Sequence, residues 1–498
     1  MAIDILLLYL PVQYGGGKTY GLPPLGVYQL AANLKEAGIS AKVLDASIRG
    51  LSLEETVDCI RHENPGLIGI SALTPHLHSM TQLVRRLATT QYKGRVIVGG
   101  PHFNNTKEEY MRSVDVDYAM YSEGDVAFVE FCRTYFSDRN FGAVPNLIHR
   151  VEDQIVLNPI GRVVDDLDTL PFPDLSAGDP ADYELVYGRY DRAHSMMTSR
   201  GCPYLCTFCD VFSVWGRKMR QRTAENVVDE LEYNRDRFNV REVFFKDSTF
   251  TLNHNWTNSF LDELERRKPG VLWHCNTRVD RVNHDMLKRM KAAGCRGIYY
   301  GVESGNQEIL DSLKKKIKIP DVERIFKETD DLGIQANAYF MVGNPGETLQ
   351  TAEDSLALAL RLPATLVGVS PAIAYPGTES YQIGVESGLL KDPHWYLQDV
   401  DMGKQFLSVT GVTSPGQFDL PGFSPEAQIA FSKKFSRQFF LRPSVLWRLF
   451  GRYSSIRLFL RALGFAPSFL KYCLSRYHRP SDARRWATGE HFAPEVAE

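Results

Sequence analysis

Cysteine is scarce, with eight in 498 residues. Most stand alone, which excludes a secreted disulfide framework and points to a reducing, cytoplasmic setting. Long apolar runs are also missing. Nothing reaches the roughly 18 uncharged residues that a membrane-spanning helix needs. The opening "MAIDILLLYLP" is apolar but has no basic region before it, so it reads as a buried first strand rather than a signal peptide. No large excess of one charge exists, the net being −3, and nucleic acid is not an expected partner. A phosphate loop is absent as well. "GGGKT" at 15–19 has Val12 where the first glycine of that motif should stand.

The composition that remains, 44% apolar and 23% charged, is that of an ordinary soluble globular chain. Its length calls for two or three domains. Residues 1–140 alternate short apolar strands ("IDILLLYL", "AKVLDA", "GLIGISAL", "RVIVGG", "DYAMYSEG") with helical stretches. Strands without polar alternation have both faces covered, so the pattern predicts a doubly wound, Rossmann-like α/β domain with a parallel sheet. Ligands of such sheets sit at the carboxyl ends of the strands. Those ends carry Asp45, Ser71, Leu73, Thr74, Gly99, Gly100, Pro101, His102, Glu123 and Gly124.

Residues 141–190 are rich in Asp and Pro ("DDLDTLPFPDLSAGDPADY") and read as a linker. Six βα units follow over 191–390, the pattern of a partial α/β barrel whose strand ends point into the active site. The region 391–498 is expected to be mostly helical and is basic. Between 431 and 485, thirteen Lys/Arg are opposed only by Asp482. Its Leu, Phe and Trp recur near helical spacing. That pattern suits either a peripheral contact with an anionic membrane face or a helical cap with a solvated basic side.

The exception to the scarcity of cysteine is "TSRGCPYLCTFCD", residues 198–210, with Cys202, Cys206 and Cys209 inside eight residues. Thiolates in such density bind soft metals. A structural zinc site takes four ligands from two knuckles, and no second knuckle is present. Three thiolates can instead hold a [4Fe–4S] cluster by three of its irons, leaving the fourth open. Incidental cysteines on a loop, or zinc with one remote ligand, are the alternatives.

Cys-x3-Cys-x2-Cys after the first strand of a (βα)6 pattern resembles the radical S-adenosylmethionine superfamily, as does the aromatic Phe208 before the third cysteine. The resemblance covers roughly residues 192–385. It implies that Phe208 of the cysteine loop, together with Asp247, Arg278, Glu303, Ser304, Gly343 and Tyr375 in the strand-end motifs "FFKDSTF", "NTRVD", "YGVESG", "YFMVGNPGET" and "YPGT", surrounds S-adenosylmethionine. It also implies an electron donor such as flavodoxin or ferredoxin.

The N-terminal region resembles the cobalamin-binding fold through Ser71-Ala-Leu73 and Gly99-Gly100. The Asp-x-His-x-x-Gly loop of relatives with an axial histidine is replaced here by "PVQYGGGKTYGLPP". A loop histidine is therefore not expected as the lower cobalt ligand, an arrangement compatible with cobalamin bound without its base and without a protein ligand, and His76, His78 and His102 are expected to be polar rim residues. The two resemblances together imply a cobalamin-dependent C-methyltransferase acting on an unactivated carbon of a hydrophobic, lipid-, terpenoid- or tetrapyrrole-like substrate. A cyclase, ring-contracting or oxidising enzyme with the same cofactors is the alternative, and a non-enzymatic cobalamin or redox sensor the third reading.

Overall fold

Short runs such as "ILLLY" have no polar side to offer water, so they need cover on both faces. The computed structural model, which describes residues 3–14, 21–161, 163–183, 192–397, 414 and 416–450, provides it. In the first sheet β1 (Ile5–Tyr9) lies between β2 (Ala41–Asp45) and β3 (Leu67–Ser71), followed by β4 (Arg95–Gly99) and β5 (Tyr118–Met120). All these pairings are parallel. Leu6, Ile68 and Val98 bury one face, and Ile5, Leu67 and Ile97 the other, against separate helical layers.

The sheet does not end at β5. Two antiparallel strands, β6 (Leu147–Val151) and β7 (Gln154–Leu157), extend it into the stretch expected to be linker. Val151 pairs with Gln154, so Glu152-Asp153 form the turn, with Glu152 at φ 52°. Hairpin turns of this kind usually announce themselves with Asn or Gly, and this one does not. The rest of the segment is tethered. Lys35 reaches Asp174 at 2.9 Å, and the hydroxyls of Tyr28 and Tyr183 meet at 2.9 Å. Residues 184–191 of the expected linker lie outside the described residues.

The second sheet begins with β8 (Ala193–Met196). Two short strands, β9 (Ser199–Arg200) and β10 (Arg220–Gln221), form a separate antiparallel ribbon. The sheet then continues through β11 (Glu242–Phe245), β12 (Leu272–Thr277), β13 (Cys295–Glu303), β14 (Gln335–Val342) and β15 (Leu366–Pro371). Its six strands stand in chain order, all parallel, as an open half-barrel. Alternation separates two faces. Val243, Phe245, Trp273, Ile298 and Phe340 pack outward against the helices. Phe244, His274, Tyr299 and Tyr339 take the alternate positions and form a chain of ring contacts on the inner face.

Beyond β15 the helix Pro425–Phe440 inserts Phe431, Phe435 and Phe439 into the barrel core. Phe435 meets Phe340 at 5.4 Å. Where described, the start of the basic region is thus a cap: Lys434 pairs with Glu353, and Arg448 with Asp330. Residues 451–498, most of the basic tail, lie outside the described residues. No described helix is long and apolar enough to cross a membrane.

Candidate functional site

The β9–β10 ribbon closes the loop that carries the cysteines. Gly201 begins that loop at φ 90°, where a Cβ would collide with the carbonyl of Lys218. Cys202 N–H donates to the Gly216 carbonyl at 3.3 Å, and Cys209 N–H to the Cys206 carbonyl at 3.2 Å. Thr207 fixes the loop to its surroundings. It donates to the Leu313 carbonyl at 3.2 Å and accepts from Ser380 N–H at 2.9 Å. All three cysteines are half-buried. Burial pushes the Cys209 thiol up to about 11 and raises Cys206, while the Lys315 and Arg278 cations pull Cys206 back.

Among the described residues no group of three His, Cys, Asp or Glu gathers around a single-ion position. A cluster assigns each thiolate to a different iron, and three thiols on one loop beside two cations fit its donor set.

Phe208 turns from this loop into a cavity of about 220 Å³ at the carboxyl ends of β14 and β15. Met341, Ser370, Tyr375, Ser380 and Gln417 share its wall. Burial holds the Tyr375 phenol up at about 12. Gly343 shapes the turn beside the cavity. It has φ 85° and donates its N–H to Glu347 at 2.7 Å, next to the Asn344 N–H at 3.0 Å. Among the described residues Glu347 Oε1 has no partner, and burial pushes this carboxyl up to about 7.

The remaining residues expected near S-adenosylmethionine have partners of their own. Asp247 is buried and accepts from Thr198 N–H at 3.1 Å, Thr198 Oγ1 at 2.7 Å and Ser199 Oγ at 2.6 Å. It ties the end of β11 to the start of the cysteine loop. Arg278 pairs with Asp280 at 2.8 Å and lies 3.8 Å over the Tyr204 ring, its Nη1 without a partner among the described residues. Glu303, at φ 69°, binds Lys315 at 2.7 Å. Ser304 is buried, with its hydroxyl 3.2 Å from that of Ser355 and accepting from Asn306 N–H at 3.2 Å.

A second cavity, of about 330 Å³, opens at the carboxyl ends of the first sheet. Ser71, Leu73 and the Gly99-Gly100-Pro101 run line it, with Glu123 and Gly124. Gly100 is obligatory: at φ 102°, a Cβ would strike the backbone of Ala72. At Gly26, also in the wall, a Cβ would meet no protein atom within 4 Å, so the floor is bare. An apolar, glycine-floored cavity suits a broad flat ligand such as a corrin.

Three expected contacts are absent from this wall. Asp45 caps the helix after β2 through Ile48 N–H at 2.9 Å and accepts from Tyr183 at 3.1 Å. Thr74 bonds His102 at 3.2 Å. His102 follows the turn at Gly100 inward, against Phe103 and Tyr110, rather than to the rim. His76 is likewise buried, edge-on to Tyr9 at 4.9 Å. Desolvation lowers His76 to about 4 and His102 to about 3, as expected of buried neutral rings. Among the described residues lining the cavity there is no histidine.

Three wall residues come from the other domain and were not foreseen. Arg200, Val214 and Trp215 line the first-sheet cavity, with the guanidinium 4.5 Å from the indole centroid. Arg200 binds Asp125 at 2.6 Å and Glu123 at 3.0 Å, and Arg220 binds Glu123 at 3.0 Å. All four charged groups are buried. Trp215 ends the helix Val211–Trp215, which starts two residues after Cys209. The cysteine loop and the first-sheet cavity therefore share one wall.

Comparison with known proteins agrees with this geometry. Residues 196–359 match the radical SAM superfamily, and residues 19–132 the B12 binding domain. An uncharacterized methyltransferase of Pyrococcus horikoshii is 26% identical over 452 residues, 89% of this chain and 94% of that protein. The anaerobic magnesium-protoporphyrin IX monomethyl ester cyclase of Rubrivivax gelatinosus is 26% identical, over 71% of this chain and 65% of its own length. The radical S-adenosylmethionine methyltransferase TsrM of Kitasatospora setae, solved with cobalamin and a [4Fe–4S] cluster, superposes with TM-score 0.66 at 20% identity, covering 90% of each chain. The chain is a cobalamin-binding radical S-adenosylmethionine enzyme. Its cofactors are a [4Fe–4S] cluster, S-adenosylmethionine and cobalamin.

Proposed function

We propose that this enzyme transfers a methyl group to an unactivated carbon of its substrate, with the substrate held in the half-barrel lumen between the two cavities. The observation that carries this reading is the shared wall. One five-residue helix, Val211–Trp215, runs from the cysteine loop to the first-sheet cavity and lines it with Val214 and Trp215, which sets the two sites side by side. When bound, the cluster supplies one electron to break the sulfonium, and cobalamin supplies a methyl-bearing cobalt.

The chain's own residues position these groups. Cys202, Cys206 and Cys209 hold three irons. Phe208, Tyr375 and Ser380 line the cavity that receives the nucleoside. Ser71 and the bare glycine floor seat the corrin. The electron comes from a flavodoxin- or ferredoxin-type donor.

The test is anaerobic turnover with S-adenosylmethionine labelled in its methyl group. Methyl transfer predicts label in the product together with unlabelled 5′-deoxyadenosine. The cyclase relative supports one other reading, an oxidation or ring closure with the same cofactors. In that case 5′-deoxyadenosine forms and the product carries no label.

A further inference from the structure

Three basic side chains stand at the mouth of the half-barrel, and two of them are already engaged. Lys315 is paired with Glu303 at 2.7 Å, and Arg278 with Asp280 at 2.8 Å. Lys246, immediately after β11, is different. Its ammonium lies 4.3 Å from the centroid of the Phe244 ring. Among the described residues no ion pair or side-chain hydrogen bond engages that ammonium, and no acid perturbs it. The side chain is accessible, yet surrounding protein lowers its pKa through desolvation. Accessibility combined with desolvation describes a concave lumen, not an outer surface.

An aromatic shelf runs from this cation along the inner face. The Phe244 ring lies 5.0 Å from Tyr299, and Tyr299 stacks on Tyr339 at 5.7 Å. Tyr339 is 42% exposed, a large fraction for a ring on a central strand. Its neighbour on β15 is Gly368, where a Cβ would sit 3.1 Å from the Tyr339 ring, so no side chain covers this end of the shelf. Two residues further along β14, Met341 lines the cavity beside Phe208. The shelf thus leads from an uncommitted cation towards the reacting end of the site.

We propose that Lys246 selects the substrate. Its ammonium receives an anionic group, carboxylate or phosphate, of a molecule whose planar apolar body lies on the Tyr339 ring. This rests on the reading of the lumen as the substrate chamber, and it narrows a hydrophobic substrate to one that also carries an acid. A cation in a desolvated setting binds an anion more strongly than one in water, and an aromatic face adds area without rotamer cost.

The experiment uses protein loaded with cluster and cobalamin and saturated with S-adenosylhomocysteine, so that the cofactor's own carboxylate is seated. Calorimetry compares naphthoate, naphthyl phosphate and the neutral naphthamide. At least one acid binds about tenfold more tightly than the amide, the scale of one charged hydrogen bond. Whichever acid shows the preference identifies the group. Lys246→Gln abolishes the preference while leaving the amide's affinity unchanged, and Lys246→Arg retains it. Equal binding of acids and amide by the wild type, or a preference that survives Lys246→Gln, overturns the proposal. So does loss of S-adenosylhomocysteine affinity in Lys246→Gln, which assigns the lysine to the cofactor. A product lacking the methyl label would refute methyl transfer and leave this binding preference standing.

Discussion

Cys206 is a half-buried thiol whose proton is held by desolvation and opposed by Lys315 and Arg278. Iron displaces that proton, and the two cations favour the resulting anionic cluster. Cys206→Ala should therefore lose most of its iron and all S-adenosylmethionine cleavage while keeping cobalamin. Iron per chain and the corrin absorbance of anaerobically purified protein check this. Glu347 makes a separate prediction. Its folded pKa of about 7 lies above the ordinary 4.5, so the folded state retains a proton that the unfolded chain releases. Its contribution is full below 4.5 and is lost as pH rises to about 7, of the order of 3 kcal/mol. Glu347→Gln keeps an acceptor for the Gly343 and Asn344 N–H groups and should lack that loss, as denaturant titrations at pH 5 and 8 would show. The cysteine spacing was legible because metal chemistry fixes both residue type and interval. Asp247, Glu303 and Ser304 were placed correctly on their strand ends, but sequence does not tell which partner a strand-end side chain will choose.

Strands and helices were the more readable scale. Continuous apolar runs mark the five parallel strands of the first sheet, because burial on two faces leaves no other composition, while the half-barrel strands, which carry His274 and Asn337, show in the repetition of βα units. The β6–β7 hairpin escaped since Glu152-Asp153 is an unusual turn and the segment beyond it is rich in Asp and Pro. The helix Val211–Trp215 escaped too, being too short to show a period. Yet its Val214 and Trp215 line the first-sheet cavity directly after the cysteine loop. Trp215→Ala removes an indole from that wall and from its contact with Arg200. It should weaken cobalamin binding about tenfold, the scale of a desolvated cation–π contact, at unchanged iron content. Equilibrium dialysis with hydroxocobalamin measures this, and an unchanged affinity would remove Trp215 from the site.

At the scale of the whole molecule, the two sheets are joined by buried charge rather than by an apolar seam alone. Arg200 and Arg220 reach from the ribbon beneath the cysteine loop to Glu123 and Asp125 of the first domain. No local pattern announces a pairing between residues 75 or more positions apart, and Glu123 read only as a strand-end polar group. Arg200→Ala would strand Asp125 in the interior, a cost of about 3–5 kcal/mol by analogy with broken buried pairs. Calorimetry should then show the two domains melting separately. The central claim is that cluster and cobalamin face one space across this junction. Pulsed electron paramagnetic resonance tests it most directly, on protein carrying the one-electron-reduced cluster and cobalt(II) cobalamin together. A shared wall predicts dipolar coupling between the two spins, absent when either centre is diamagnetic. A spectrum that is the plain sum of two isolated centres would contradict the account.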